Sequence, residues 1–170
     1  FISAQPPRVR GGMLVIPRGL LATTAPSTLM ADERGGYFSD DSAARKEIEL
    51  LAMQSVMDVE LALGNTPTDI SAQKVGYDII SYDPHAEHFR FIEVKGRVSD
   101  ADTVMITRQE LITSLHEPEK FILAIVQIDE RQARAPRYVH GALDSREPPF
   151  DQNAIQFKIQ RLLNRAKEPA

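Results

Sequence analysis

The sequence contains no cysteine. That excludes a disulfide framework, a thiolate nucleophile, and zinc or iron–sulfur centres held by cysteine. It also lacks any apolar run near the roughly 20 residues that a membrane-spanning helix needs, so no membrane segment is expected. No basic stretch followed by an apolar core opens the chain, and it does not read as a signal peptide. The first residue is Phe1 rather than methionine, which leads us to expect a domain of something longer. A surplus of positive charge is missing too. The formal net charge of −4 argues against a protein that holds nucleic acid by a strong positive field. It leaves nucleic-acid enzymes open, because carboxylates gathered for a metal lower the charge and tethering supplies affinity. No phosphate loop and no Ser–His–Asp order stands out, so ATP hydrolysis is not expected. His85, His88, His116 and His140 are scattered without metal-ligand spacing and read as surface residues. Repeats and long low-complexity tracts are absent.

What is present is an ordinary globular composition, 42% hydrophobic and 26% charged over 170 residues. It fits one domain with extensions, and a cytoplasmic location is the default. Residues 1–40 are rich in Pro, Gly, Ser and Thr and read as an irregular connector. One apolar burst, Met13 to Ile16, could add an edge strand there. Ser39 or Asp41 can cap a long helix reaching about Leu63, where Gly64 and Asn65-Thr66-Pro67 stop it. At about 100° per residue, Ile48, Ala52, Val59 and Leu63 fall on one stripe flanked by Val56, with Glu47 and Asp58 opposite. Glu49 and Glu60 sit at the margin of that stripe on nearly the same side. Each reads equally well as a boundary residue with a packed stem or as a group looking along a sheet.

A brief strand near Thr68-Asp69-Ile70 is expected next. Strands over Tyr77–Tyr82 and Phe89–Lys95 follow, joined through Asp83-Pro84-His85 as an antiparallel hairpin. Thr103 to Ile106 is a further strand. Thr107 then opens a helix as its cap, with Glu110 as the capping-box partner, and the helix ends near Pro118. Phe121 to Ile128 is almost uninterrupted apolar sequence, which predicts a strand covered on both faces. Beyond 130 comes a loop dotted with Arg131, Arg134 and Arg137, and an edge strand over Arg137–His140. Ile155, Ile159, Leu162, Leu163 and Ala166 predict an amphipathic terminal helix. Its other side carries Lys158, Arg161 and Arg165, more simply a solvated face than a phosphate site. The element order predicts an α/β sandwich with a mixed sheet between helices.

The chain is organised around Phe89-Arg90-Phe91-Ile92-Glu93-Val94-Lys95-Gly96, a strand rich in aromatic and β-branched residues with glycine at its end. Alternation puts Phe89, Phe91, Glu93 and Lys95 on one face and Arg90, Ile92 and Val94 on the other. For a lone Glu-x-Lys a surface ion pair is the simpler reading. The second carboxylate upstream changes that, because pairing of the two strands sets Asp78 beside Glu93 with Lys95 one step along. Two carboxylates and the exposed Val94 carbonyl are hard oxygen ligands suited to Mg²⁺ or Mn²⁺. A neighbouring ammonium can orient water or stabilise charge on a phosphoryl transition state.

The pattern Asp78…Glu93-Val94-Lys95, after a glutamate-bearing helix and before strand–helix–strand, resembles the PD-(D/E)xK nuclease superfamily. More narrowly, residues from about Arg45 to Ile128 resemble the branch named after the C-terminal region of the plant protein NO VEIN, related to the Mrr-type restriction endonucleases. The segments that carry this are Glu49-Leu50-Leu51-Ala52-Met53, Val56 to Glu60, Gly76-Tyr77-Asp78-Ile79, Phe91 to Arg97, Asp102-Thr103-Val104 and Phe121 to Ala124. The resemblance implies a restriction-endonuclease-like three-layer sandwich, with residues 41–130 as its core and 131–170 as an arginine-rich loop and C-terminal helix. It implies Asp78 and Glu93 as metal ligands, Lys95 as the catalytic lysine, and a helix glutamate completing the site. For that last position Glu49 is the first choice and Glu60 the second, since Ala52-Met53 stand where many relatives carry Gly-Glu. Tyr77 replaces the superfamily's proline. The implied function is Mg²⁺-dependent cleavage of DNA phosphodiesters, in preference to RNA. Such domains commonly end large helicases of the SNF2 or DEAD type, several in phage-defence or restriction settings. A catalytically silent nucleic-acid-binding or protein-docking module of a helicase is the alternative.

Overall fold

The computed structural model describes residues 42–170. The connector, its apolar burst and the helix-capping residues all lie outside that range. Helix α1, Ser42–Ala62, is followed by β1 (Thr66–Asp69), β2 (Ile79–Asp83), β3 (His88–Val98) and β4 (Thr103–Thr107). Then come α2 (Arg108–His116), β5 (Phe121–Asp129), β6 (Gln132–Ala133), β7 (Arg137–His140), β8 (Ala154–Lys158) and the short α3 (Ile159–Leu163). The fold is α/β with a mixed sheet. Six strands form it in the order β1-β2-β3-β5-β6, with β7 also on β5. β3 and β5 are parallel, whereas β1–β2, β2–β3 and the β6 and β7 pairings with β5 are antiparallel.

Strand β5 is central, and residues 121–126 are all buried, as its unbroken apolar run predicts for a strand covered on both faces. Its alternate residues enter two separate cores. Ile122, Ala124 and Val126 pack with Ile79, Ile92 and Tyr138 against Ala52 and Val56 of α1. Phe121, Leu123 and Ile125 pack with Leu111 of α2 and with Val104, Phe157 and Leu162 on the opposite face. Residues beyond 130 are thus built into both cores.

Two local expectations change. Gly96 does not end β3 but lies inside it, because α1 crosses there. A Cβ at Gly96 would meet the Ile48 carbonyl oxygen at 2.8 Å and Ala52 Cβ at 2.9 Å. The terminal amphipathic helix is largely a strand. Residues 154–158 form β8, which pairs with β4 outside the main sheet, Ile155 opposite Ile106 and Phe157 opposite Val104. Only Ile159–Leu163 is helical. The segment Ile155, Phe157, Ile159 satisfies period two as well as a helical stripe, and the partner strand decides between them. Its supposed basic face is dispersed accordingly. Lys158 ends the strand, and Arg165 donates to the carbonyls of Ala142 and Leu143.

Candidate functional site

β3 is longer than β2, and the site lies where β2 has run out. The ladder pairs Ile79 with Ile92, and Asp78 N–H donates to the Ile92 carbonyl at 2.9 Å. One residue further in this register, Asp78 stands opposite Glu93. Opposed residues of an antiparallel pair lie side by side, and Asp78, Glu93 and Lys95 are close enough to act on one another electrostatically. Asp78 Oδ2 accepts the Val94 N–H at 3.0 Å, standing in for the strand that has ended. The Val94 carbonyl, which turns to the same side as its N–H, opens on that unpaired edge.

Lys95 Nζ lies 2.7 Å from Glu93 Oε1 and 2.8 Å from Glu110 Oε2. The Glu93–Lys95 pair is therefore real but buried, with side-chain exposures of 6% and 15%, and not the surface pair a lone Glu-x-Lys would make. Burial above all, with the carboxylates of Glu110 and Asp78 adding to it against the pull of Lys95, raises the Glu93 pKa to about 8. Asp78 is raised as well, by burial first, against the Val94 N–H and Lys95. Burial works to lower Lys95, but Glu93 and Glu110 together outweigh it and its pKa is raised. Like charges brought together out of water favour the neutral acid, and the ammonium only partly compensates.

Asp78, Glu93, Val94 and Lys95 open on a cavity of about 390 Å³ whose lining includes Glu49 and Lys46 of α1, Asp69 of β1, and Arg97. Glu49 is on its rim and exposed. Glu60, the second choice, is elsewhere. It is fully buried, and accepts hydrogen bonds from Asn65 and Ser81 on Oε2 and from the Tyr138 hydroxyl on Oε1. It is a structural group, not a boundary residue or a site ligand. Glu110 was legible only as half of a capping box, which it does form: Thr107 N–H donates to its Oε2, and its own N–H donates to Thr107 Oγ1. Its contact with Lys95 had no signal in the sequence, because it depends on how the start of α2 is brought to β3 in the fold.

The arginines of the 131–137 segment do not make a free cationic patch. Arg131 is 3.5 Å from Glu47, Arg134 is 2.7 Å from Asp129, and Arg137 is 3.5 Å from Glu168. His85, His116 and His140 are exposed. Among the described residues no group of three or more His, Asp or Glu side chains is arranged to hold a metal ion, and no helix is long and apolar enough to cross a membrane.

A family model described as "Protein NO VEIN, C-terminal" matches residues 48–139, more than half of the chain. The match runs from the middle of α1 to β7 and contains Glu49, Asp78, Glu93, Lys95 and Glu110. No curated protein and no solved structure matches the chain.

Proposed function

The chain belongs to the family of the C-terminal region of protein NO VEIN, and from that premise we propose that its groove is a divalent-metal-dependent nuclease site of the PD-(D/E)xK kind, acting on DNA in preference to RNA. The fold class that goes with this reading is the restriction-endonuclease-like sandwich. One observation carries it: two carboxylates, Asp78 immediately before β2 and Glu93 on β3, share a cavity with Lys95. The donors fit Mg²⁺ or Mn²⁺. Two carboxylates with the Val94 carbonyl are hard oxygens, and fewer than three acidic side chains suits Mg²⁺, which keeps several waters and takes one or two carboxylates plus substrate phosphate. When bound, such an ion polarises the phosphoryl oxygen and acidifies a water.

The chain's own residues supply the rest. Asp78 and Glu93 hold and orient. Lys95, kept between two carboxylates, serves as an ammonium that stabilises charge on the scissile phosphate and does not accept a proton. Glu49 on the rim, beside Arg97, is the group that reaches the attacking water. The net charge of −4 makes intrinsic affinity for DNA weak, so helicase domains of the same longer chain are the proposed partners. A cytoplasmic restriction or phage-defence setting is the proposed context. The saturated Glu93–Lys95–Glu110 cluster favours a second reading, a silent accessory module in which the lysine is only a structural cation.

Cleavage separates the two. The chain, alone and joined to its helicase domains, is incubated with linear, circular and single-stranded DNA and with RNA, plus Mg²⁺ or Mn²⁺. Glu93→Ala is expected to eliminate DNA cleavage while leaving binding, since a negative charge beside phosphate has gone. Lys95→Ala is expected to slow cleavage by roughly 10²–10³, the loss on removing one transition-state charge stabiliser. Retained DNA binding at low salt without cleavage by either form would leave the accessory module standing.

A further inference from the structure

Lys95 has two acidic partners where one ion pair would neutralise it. The partners differ in how they are held. Glu110 Oε2 accepts the Thr107 N–H at 3.0 Å as well as the lysine, so the backbone at the start of α2 fixes this carboxylate independently of Lys95. Among the described residues the Glu93 carboxylate has Lys95 as its one polar partner. One carboxylate is anchored by the backbone and the other is held by the lysine alone.

We propose that Glu110 is a positioning residue that keeps Lys95 at the mouth of the groove while Glu93 turns from the lysine to a divalent cation. The inference rests on the metal-dependent reading of the groove. Charge supports it: once ionised, Asp78, Glu93 and Glu110 against Lys95 leave a surplus of two negative charges, which a divalent cation balances with Lys95 still charged. Without Glu110, turning Glu93 outward would leave a buried ammonium unpaired, a strongly unfavourable state. Glu93 would then stay on Lys95 and the cation would lose a ligand. The same carboxylate closes the first turn of α2, so the placement of that helix and of the lysine are coupled.

The test compares Glu110→Gln, which keeps an oxygen for the Thr107 N–H but removes the charge, with Thr107→Ala, which weakens the cap and leaves the charge. The first readout is the ¹H–¹⁵N signal of the Lys95 ammonium, identified by its loss in Lys95→Ala. A buried ammonium with two carboxylate partners exchanges its protons slowly. The signal is expected to survive Thr107→Ala and to broaden away or shift in Glu110→Gln. The second readout is Mn²⁺ affinity by calorimetry. Glu110→Gln is expected to weaken it roughly tenfold, about one charge-assisted hydrogen bond. Thr107→Ala is not, and in a Lys95→Ala background Glu110→Gln should have no further effect.

Three outcomes overturn the inference alone: Glu110→Gln matching wild type in both readouts, Thr107→Ala matching Glu110→Gln, or an undiminished loss of affinity in the Lys95→Ala background, which would make Glu110 a ligand. Wild-type protein that takes up no Mn²⁺ at millimolar concentration removes the metal reading, and the release of Glu93 with it.

Discussion

Glu93 is folded into a place where its own charge is disfavoured, its pKa raised by burial from 4.5 to about 8. The folded chain therefore binds more protons here than the unfolded chain between those two values. Stability from this group falls as pH rises through that window and levels off above about 8. Glu93→Gln, which keeps an oxygen for Lys95 but cannot ionise, should remove that slope. The two proteins should be equally stable near pH 4.5, and the variant the more stable by about 1–3 kcal/mol at pH 8. Urea titrations across this range measure it, and a variant less stable at pH 8 would refute the cause assigned to the shift. Asp83 has the opposite sign. The Ala86 and His85 amides and Arg90, against some burial, lower it to about 2, so its contribution is lost only as pH falls from 3.8 towards 2. An acid that costs stability at neutral pH, lining a cavity, is what a functional carboxylate looks like.

The groove depends on how closely two elements approach. α1 lies on β3 at Gly96, where even a methyl group would meet the backbone of Ile48 and the side chain of Ala52. Gly96→Ala has no conformational penalty of its own, since Gly96 is not among the positive-φ glycines. It must push the helix off the strand instead. We expect a loss of about 1–3 kcal/mol in chemical denaturation, the usual range for overpacking a filled core. We also expect Glu49 on α1 to move away from the cavity it lines with the β3 acids, read as reduced divalent-ion affinity. Unchanged stability would mean that the helix sits further from the sheet than these distances state. α2 is placed by a signal legible in four residues, Thr107 to Glu110. β8 was not, because a five-residue segment takes its conformation from whichever neighbour pairs with it, here β4.

Glu60 ties the molecule together on the α1 side of the sheet. From the end of α1 it takes hydrogen bonds from Ser81 on β2 and Tyr138 on β7, and Arg90 on β3 lies 3.7 Å away. Burial first, then Glu60, raise the Tyr138 hydroxyl pKa, so it remains a donor. Removing this carboxylate leaves the Asn65, Ser81 and Tyr138 donors without their acceptor inside the core, while Arg90 keeps Asp83. Glu60→Ala should cost about 3–5 kcal/mol, since each buried donor left unsatisfied costs roughly 1–3 kcal/mol. Thermal and urea unfolding check this. A loss below 1 kcal/mol would show that the network is not holding these strands to the helix.

Periodicity and local chemistry determined much from the sequence alone. The central strand Phe121–Asp129, the Asp78…Glu93-x-Lys95 arrangement, the α2 capping box and the end of α1 all follow from side-chain alternation, turn residues and caps that act within a few positions. Tertiary structure decided the rest. A helical wheel sets Glu49 and Glu60 on nearly the same side, yet one lines the groove and the other is sealed beneath Tyr138, because the sheet under the helix changes along its length. Glu110 became a partner of Lys95, and Ile155 and Phe157 became a strand, for the same reason. Local pattern tells which face of an element is apolar or charged, and only the packing of distant segments tells what that face meets.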